Sequence, residues 1–172
     1  MTGGRDMNVT LIGMPAAGKS VIGVLLAKKL GYDFVDSDLL IQKREGRLLR
    51  EIIRDEGLDR FKQIEEEVNA GLDVKQSVIA PGGSVIYGEK AMKHLQQISL
   101  VVYLKVPVEE LAARLGDLEL RGVVLEDGMT LEDLYRERTP YYEQYAMATV
   151  DETGRTPEEI VSQIAALVRK RA

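Results

Sequence analysis

Between an apolar run, VTLI, and a helical one, VIGVLLAKKL, lies GMPAAGKS, Gly13 to Ser20. These residue types at this spacing match G-x-x-x-x-G-K-[ST] and suit a grip on a phosphate chain. Gly13 and Gly18 let the backbone curl so that amide N–H groups and the helix start face anionic oxygens. Lys19 is placed to reach the β and γ phosphates, and the Ser20 hydroxyl to hold Mg²⁺. The ATP-contacting set read from this stretch is Gly13, Ala16, Ala17, Gly18, Lys19, Ser20 and Val21. A glycine turn that binds nothing is the plainer alternative, and the strand–loop–helix context speaks against it.

A second group of reactive residues follows in YDFVDSDLL. Asp36 and Asp38 stand two apart where a strand runs out, and an extended backbone points both carboxylates the same way. One carboxylate, Asp36, can hold Mg²⁺ through water while Asp38 orients an acceptor hydroxyl and takes its proton. The plainer role for Asp38 is capping a helix that begins at Leu39. Several other nucleotide chemistries lack their residues: there is no N-K-x-D, no strand-terminal Asp-Glu pair and no D-G-[FY]-P-R stretch.

The elements that must position these residues read as short apolar runs alternating with longer helical patterns. Strands are predicted at Val9–Ile12, Phe34–Val35, Val78–Ile79, Leu100–Leu104 and Ala148–Val150. Helices are predicted at Lys19–Leu30, Leu39–Glu45, Leu48–Leu72, Glu89–Gln97, Val108–Leu115, Leu131–Ala146 and Pro157–Arg169. Near-continuous apolar strands alternating with helices imply an α/β fold around a parallel sheet. In GRTPEEI, Thr156 is the expected N-cap, followed by Pro157 and two acidic residues. Gly116 to Thr130 is glycine-rich and weakly periodic, the pattern of a lid loop.

With 172 residues, the chain is expected to form one domain behind an irregular tail at residues 1–7. A net charge of −5 argues against a nucleic-acid surface but leaves room for a local basic pocket. The absence of cysteine removes disulfide and thiolate chemistry. No apolar run approaches a membrane span, and the start, MTGGRDMN, has no signal-peptide core. A cytoplasmic monomer, with no membrane or nucleic-acid partner, is the expectation.

From about Val9 to Arg169 the chain resembles the shikimate kinase family. The resemblance rests on GMPAAGKS, FVDSD, FKQIEEEV, PGGSVI, Arg121 and RERTPYYEQYA. It implies a P-loop NTPase-type fold whose five-stranded parallel sheet has the order 2-3-1-4-5. It also implies transfer of phosphate from Mg-ATP to a ring hydroxyl of a small carboxylic acid. By the same resemblance, Asp36 is the metal-side Asp and Asp38 the substrate-side base. Gly82 and Gly83 lie in the substrate-binding turn, Arg121 lies in the lid over the transferring phosphate, and Arg138 binds the substrate carboxylate. Arg114 and Arg155 match positions near the adenine.

Three departures cluster around the acceptor. The family's usual FR is FK here, placing Lys62 where a carboxylate-binding Arg is usual; its triple glycine is GGS, with Ser84 third and Pro81 before it; its RPLL lid is RGVV. Lysine offers a point charge where arginine offers a planar fork. Lys62 is thus either a substrate contact or a solvated flank residue pairing with Glu66. Shikimate is the acceptor by resemblance, with homoserine or a sugar acid as the alternatives. An ATP-binding sensor that no longer transfers phosphate is the alternative of another class, opposed by the presence of Lys19, Ser20, Asp36, Asp38 and Arg121 together. Tyr141, Tyr142 and Tyr145 are expected to pack against the sheet, and His94 to sit at the surface. Glu65–Glu67 should be mostly a solvated face, with Glu65 able to orient a basic neighbour.

Overall fold

The computed structural model describes residues 7–115 and 128–171. Its strands are β1 (Asn8–Ile12), β2 (Asp33–Asp36), β3 (Ser77–Ala80), β4 (Ser99–Lys105) and β5 (Ala148–Asp151). They form a five-stranded sheet in the order β2-β3-β1-β4-β5, with every neighbouring pair parallel. The order is the one that the resemblance implied. Central β1 sets Val9 beside Val78 on one side and Leu100 on the other. It is buried along its whole length, as is β3, which is why both read as unbroken strands rather than alternating ones.

At one end of this core the polar residues Asn8, Thr10, Ser77 and Ser99 are paired. Asn8 donates through Nδ2 to the carbonyls of Val74 (2.8 Å) and Ile98 (3.1 Å), and its Oδ1 accepts from the Ser77 N–H. Thr10 and Ser99 join their hydroxyls at 2.7 Å. These bonds tie three neighbouring strands at the end remote from the phosphate loop, without leaving a buried polar group unsatisfied there.

The helices are α1 (Lys19–Leu30), α2 (Ser37–Glu45), α3 (Leu49–Glu56), α4 (Leu58–Ala70), α5 (Glu89–Ile98), α6 (Val108–Arg114), α7 (Leu131–Tyr145) and α8 (Pro157–Arg171). Apolar faces of α1, α5 and α8 join the strands in the main core, including Ile22, Leu26, Met92, Leu95 and Ile164. A second apolar cluster, Ile41, Ile52, Phe61 and Ile64, holds α2, α3 and α4 together. As expected, Thr156 caps α8, accepting the Glu159 N–H at 3.2 Å.

Three details differ from the sequence reading. The stretch Leu48–Leu72 is two helices, because Gly57 takes φ 86°, ψ 166°, a conformation suited to glycine, after its N–H closes α3 on the Ile53 carbonyl. Helix α2 begins at Ser37 rather than Leu39, and its cap is Asp36, not Asp38. A 3₁₀ turn at Gly83–Tyr87, not anticipated, follows β3. Most of the expected lid, Arg121 included, lies outside the described residues, as do residues 1–6. Among the described residues no helix is long and apolar enough to cross a membrane.

Because the strands are parallel, β1, β2 and β3 end at one edge of the sheet. Asp36 ends β2, and the segments that follow β1 and β3 carry GMPAAGKS and Gly82–Gly83. In open α/β sheets, ligands bind at this edge, where successive strands diverge to opposite sides. Gly13 has φ 155°, and a Cβ there would lie 2.9 Å from the Leu104 carbonyl oxygen. Gly13→Ala is therefore expected to cost about 1–3 kcal/mol of stability through backbone displacement, measured as a lowered urea midpoint. An unchanged midpoint would contradict this account of the loop's fit against β4.

Candidate active site

The phosphate loop leaves β1 and folds back into α1. Its turn is built by Ala16, a non-glycine at φ 67°, and Gly18 at φ 85°, while the Ala17 N–H donates to the Met14 carbonyl at 3.1 Å. Lys19 turns its ammonium inward and donates to the carbonyls of Gly13 and Met14, both at 2.8 Å. Ser20 is exposed at the first turn of α1, and Val21 beside it is 60% exposed. The open faces of Ala16, Gly18, Lys19, Ser20 and Val21 line one cleft of about 620 Å³. Ala17 is buried beneath them.

Arg114, from the end of α6, donates to the Ala16 carbonyl at 3.0 Å and to Glu110 at 2.8 Å. Its guanidinium also stands 3.7 Å from Glu152, a buried carboxylate just beyond β5. Arg155 hydrogen-bonds Gln163 through its side chain and donates its backbone N–H to the Glu152 carbonyl. Arg114 thus touches the phosphate loop directly, whereas Arg155 connects to it only through the Glu152 segment.

The opposite side of the cleft is built on the turn after β3. Its glycines are required for space. At Gly82 a Cβ would lie 2.7 Å from Glu65 Oε2 and 3.0 Å from Asp38 Oδ1. At Gly83 it would lie 2.9 Å from Arg138 Nη1 and 3.2 Å from the Gly13 carbonyl oxygen. The missing side chains let two carboxylates, a guanidinium and the phosphate loop converge on one strip of backbone. Asp36 and Asp38 both face the cleft, but they do not lie on one strand as the sequence reading had them. Asp36 ends β2 and accepts the N–H groups of Asp38 (2.9 Å) and Leu39 (3.3 Å), while Asp38 projects from the first turn of α2.

Glu65 corrects the reading of Glu65–Glu67 as mainly a solvated face: it is 2% exposed and accepts the Ser84 hydroxyl at 2.6 Å. It sits four residues after Phe61, on the apolar side of α4, so helical periodicity carried the signal. Arg138, on α7, is equally buried. Next to it, Tyr142 stacks on Tyr103 and donates its hydroxyl to the Gly83 carbonyl at 2.7 Å. Tyr142 packs on the sheet as expected, with its hydroxyl on the site, while Tyr141 is 39% exposed and meets Tyr87 edge-on. His94 is half-buried, its Nε2 2.6 Å from the Leu72 carbonyl oxygen, and takes no part in the cleft. Lys62 does not border the main cleft. Its ammonium lies 4.4 Å from the Tyr87 ring centroid, beside a small cavity that Arg138 also borders.

Burial and like charge tune the titrating groups. Desolvation, then the charge of Asp36, lifts Asp38 to about 6, with Lys19 opposing. Desolvation lifts Glu65 to about 7 against the Ser84 hydrogen bond. Burial lowers Lys19 to about 8, although Asp38 favours its charged form. Burial also raises Glu152 to about 7, opposed by Arg114. A carboxylate poised near neutrality beside a phosphate grip has the properties of a general base.

A strand–GxxxxGKS–helix loop facing an acidic pair and a buried arginine across one cleft defines a P-loop phosphotransferase acting on a small molecule. The particular family follows from comparison. The family model described as shikimate kinase matches residues 15–169. The chain is similar to shikimate kinase of Thermodesulfovibrio yellowstonii, at 36% identity over 91% of this chain and 92% of the relative. It is similar to that of Thermobifida fusca at 38% identity, over 90% and 91% respectively. The structure of shikimate kinase from Acinetobacter baumannii in complex with shikimate superposes with a TM-score of 0.87 at 30% identity, covering 95% of this chain and 93% of that one. The chain belongs to the shikimate kinase family.

The Glu65 carboxyl yields a pH prediction. Its folded-state value, about 7, lies above the ordinary 4.5. The folded chain therefore holds a proton that the unfolded chain releases between those values, and stability from this group is lost as pH rises through that window. Glu65→Gln cannot ionise, so its thermal midpoint should gain on the wild type more at pH 8 than at pH 4. An equal difference at the two pH values would contradict the shift.

Proposed function

We propose that the protein transfers the γ-phosphate of ATP to a ring hydroxyl of shikimate, giving ADP and 3-phosphoshikimate, a step of aromatic amino-acid biosynthesis. The observation that carries this reading is the convergence of Lys19, Asp38 and Arg138 on one cleft in a chain of this family. The name and bound ligand of the related structure favour shikimate over homoserine or a sugar acid. The complete donor and base set favours transfer over a sensor.

In this reading, the triphosphate lies along Gly13–Val21, with backbone N–H groups and Lys19 on its oxygens. Arg114 and Arg155 flank the adenine. Arg138 holds the acceptor carboxylate, Lys62 adds charge beside it, and Gly82 and Gly83 allow the ring to approach the backbone. Asp38 accepts the hydroxyl proton as the oxygen attacks the γ-phosphorus and the bond to the β-γ bridging oxygen breaks. By the family resemblance, Arg121 offsets charge on the moving phosphoryl group.

Among the described residues no group of three or more His, Cys, Asp and Glu could hold a metal by itself. The hard-oxygen pair Ser20 and Asp36, both on the cleft, instead suits Mg²⁺, which shares its shell with phosphate oxygens and water. When bound, the ion neutralises phosphate charge. The reading is completed by a cytoplasmic monomer.

The test is acceptor-dependent ADP release with Mg-ATP, supplying shikimate, homoserine or gluconate. Shikimate should stimulate turnover, and Asp38→Asn should lower kcat by about 10²–10⁴-fold. The kcat/KM profile should be bell-shaped. Its acid limb, near 6, marks protonation of Asp38, and its alkaline limb, near 8, marks loss of the Lys19 charge. Turnover with homoserine or gluconate alone, or full activity in Asp38→Asn, would contradict the reading.

A further inference from the structure

The end of the cleft holding Arg138 has an aromatic neighbour that the reaction as described does not use. Tyr87 closes the 3₁₀ turn that begins at Gly83. The Lys62 ammonium lies 4.4 Å from its ring centroid and the Arg138 guanidinium carbon 5.5 Å from it. Its hydroxyl donates to Glu137 at 2.6 Å. Lys62, Tyr87 and Arg138 come from α4, the 3₁₀ turn and α7, and they border the same small cavity beside the main cleft.

We propose that Tyr87 is a positioning residue for acceptor recognition, its ring holding Lys62 and Arg138 in register so that both cations serve the acceptor's carboxylate. The inference rests on the reading that the acceptor carries a carboxylate at Arg138. Two like charges bordering one small cavity repel, and lysine brings a flexible stem with no fixed fork. An aromatic face attracts both cations through its quadrupole. The hydrogen bond to the Glu137 carboxylate adds electron density to the ring and strengthens that attraction.

The ring is well anchored for this task. The turn that carries it is fixed at its start by the Tyr142 hydroxyl on the Gly83 carbonyl and at its end by the Gly88 N–H on the Val85 carbonyl, at 3.0 Å. Tyr141 supports the ring edge-on, with centroids 5.7 Å apart. The turn that admits the acceptor and the ring that places the cations are therefore one rigid piece. This gives Lys62 a defined place without the planar fork of arginine.

The experiment measures KM for shikimate at saturating ATP, and KM for ATP at saturating shikimate, in wild type, Tyr87→Leu, Tyr87→Phe, Lys62→Met and the Lys62→Met/Tyr87→Leu double variant. Tyr87→Leu should raise the shikimate KM about tenfold, the scale of a partly desolvated cation–π contact, and move kcat and the ATP KM much less. Tyr87→Phe, which keeps the ring, should recover most of that loss. With Lys62 already removed, Tyr87→Leu should add clearly less than it does alone. Thermal melting checks the fold, and Tyr87→Met, of similar bulk without a ring, carries the same expectation if the leucine variant unfolds. A shikimate KM within twofold of wild type, equal losses for shikimate and ATP, or full additivity with Lys62→Met would overturn the proposal. Wild-type turnover with shikimate tests the underlying reading separately, so the two failures are distinguishable.

Discussion

At Gly82 and Gly83 the backbone has no room for side chains, and the cleft depends on that constraint. A Cβ at Gly82 would strike the carboxylates of Glu65 and Asp38, and one at Gly83 would strike Arg138 and crowd the phosphate loop. These glycines are needed for close approach rather than for unusual φ, since Gly82 is extended at φ −61°, ψ 158°. Because the turn is thin, groups from α2, α4, α7 and the loop after β1 crowd against one segment. The sheet supplies the rest: parallel β1 and β3 are neighbours, so their C-terminal loops emerge side by side.

That convergence concentrates charge. Asp36, Asp38 and Glu65 line one cleft with Lys19 and Arg138. Among them, Asp38 and Glu65 are raised towards neutrality and Lys19 is lowered towards it, each moved chiefly by burial. Carboxyls raised in this way are held at a cost to folding stability above their ordinary values, and the same shift leaves Asp38 able to accept a proton near pH 7. The cost is borne by the core around β1 and β4 and by the second apolar cluster, whose Phe61 lies one helical turn before Glu65 on α4. This wall of the cleft is thus part of the packing of α4.

The strands and the phosphate loop were legible in the sequence because their signals are local. Fully buried parallel strands leave unbroken apolar runs, and GMPAAGKS carries its geometry in its own glycines. Sheet order came from resemblance, since nothing in a short apolar run says which strand lies beside it. The break at Gly57 was masked because the apolar spacing on either side continues as if one helix ran through. Asp36 and Asp38 both reach the cleft, but the sequence reading offered Asp38 as the cap of a helix starting at Leu39, whereas Asp36 caps α2. The burial of Glu65 was readable from its spacing after Phe61, but its partner Ser84 stands nineteen positions away, and no spacing rule reports such a partner. Tyr87 was missed for the same reason: its place over Lys62 and beside Arg138 exists only when α4, the 3₁₀ turn and α7 meet.

The central claim is that one cleft holds donor and acceptor together, with Asp38 at the attacking hydroxyl and Arg138 at the acceptor's carboxylate. A crystal structure with shikimate and a non-hydrolysable ATP analogue tests it most directly. The account predicts the phosphates along Gly13–Val21, a shikimate hydroxyl within hydrogen-bonding distance of Asp38 and facing the γ-phosphorus, and the carboxylate on Arg138. Shikimate bound with its carboxylate away from Arg138, or with no hydroxyl at Asp38, would contradict it.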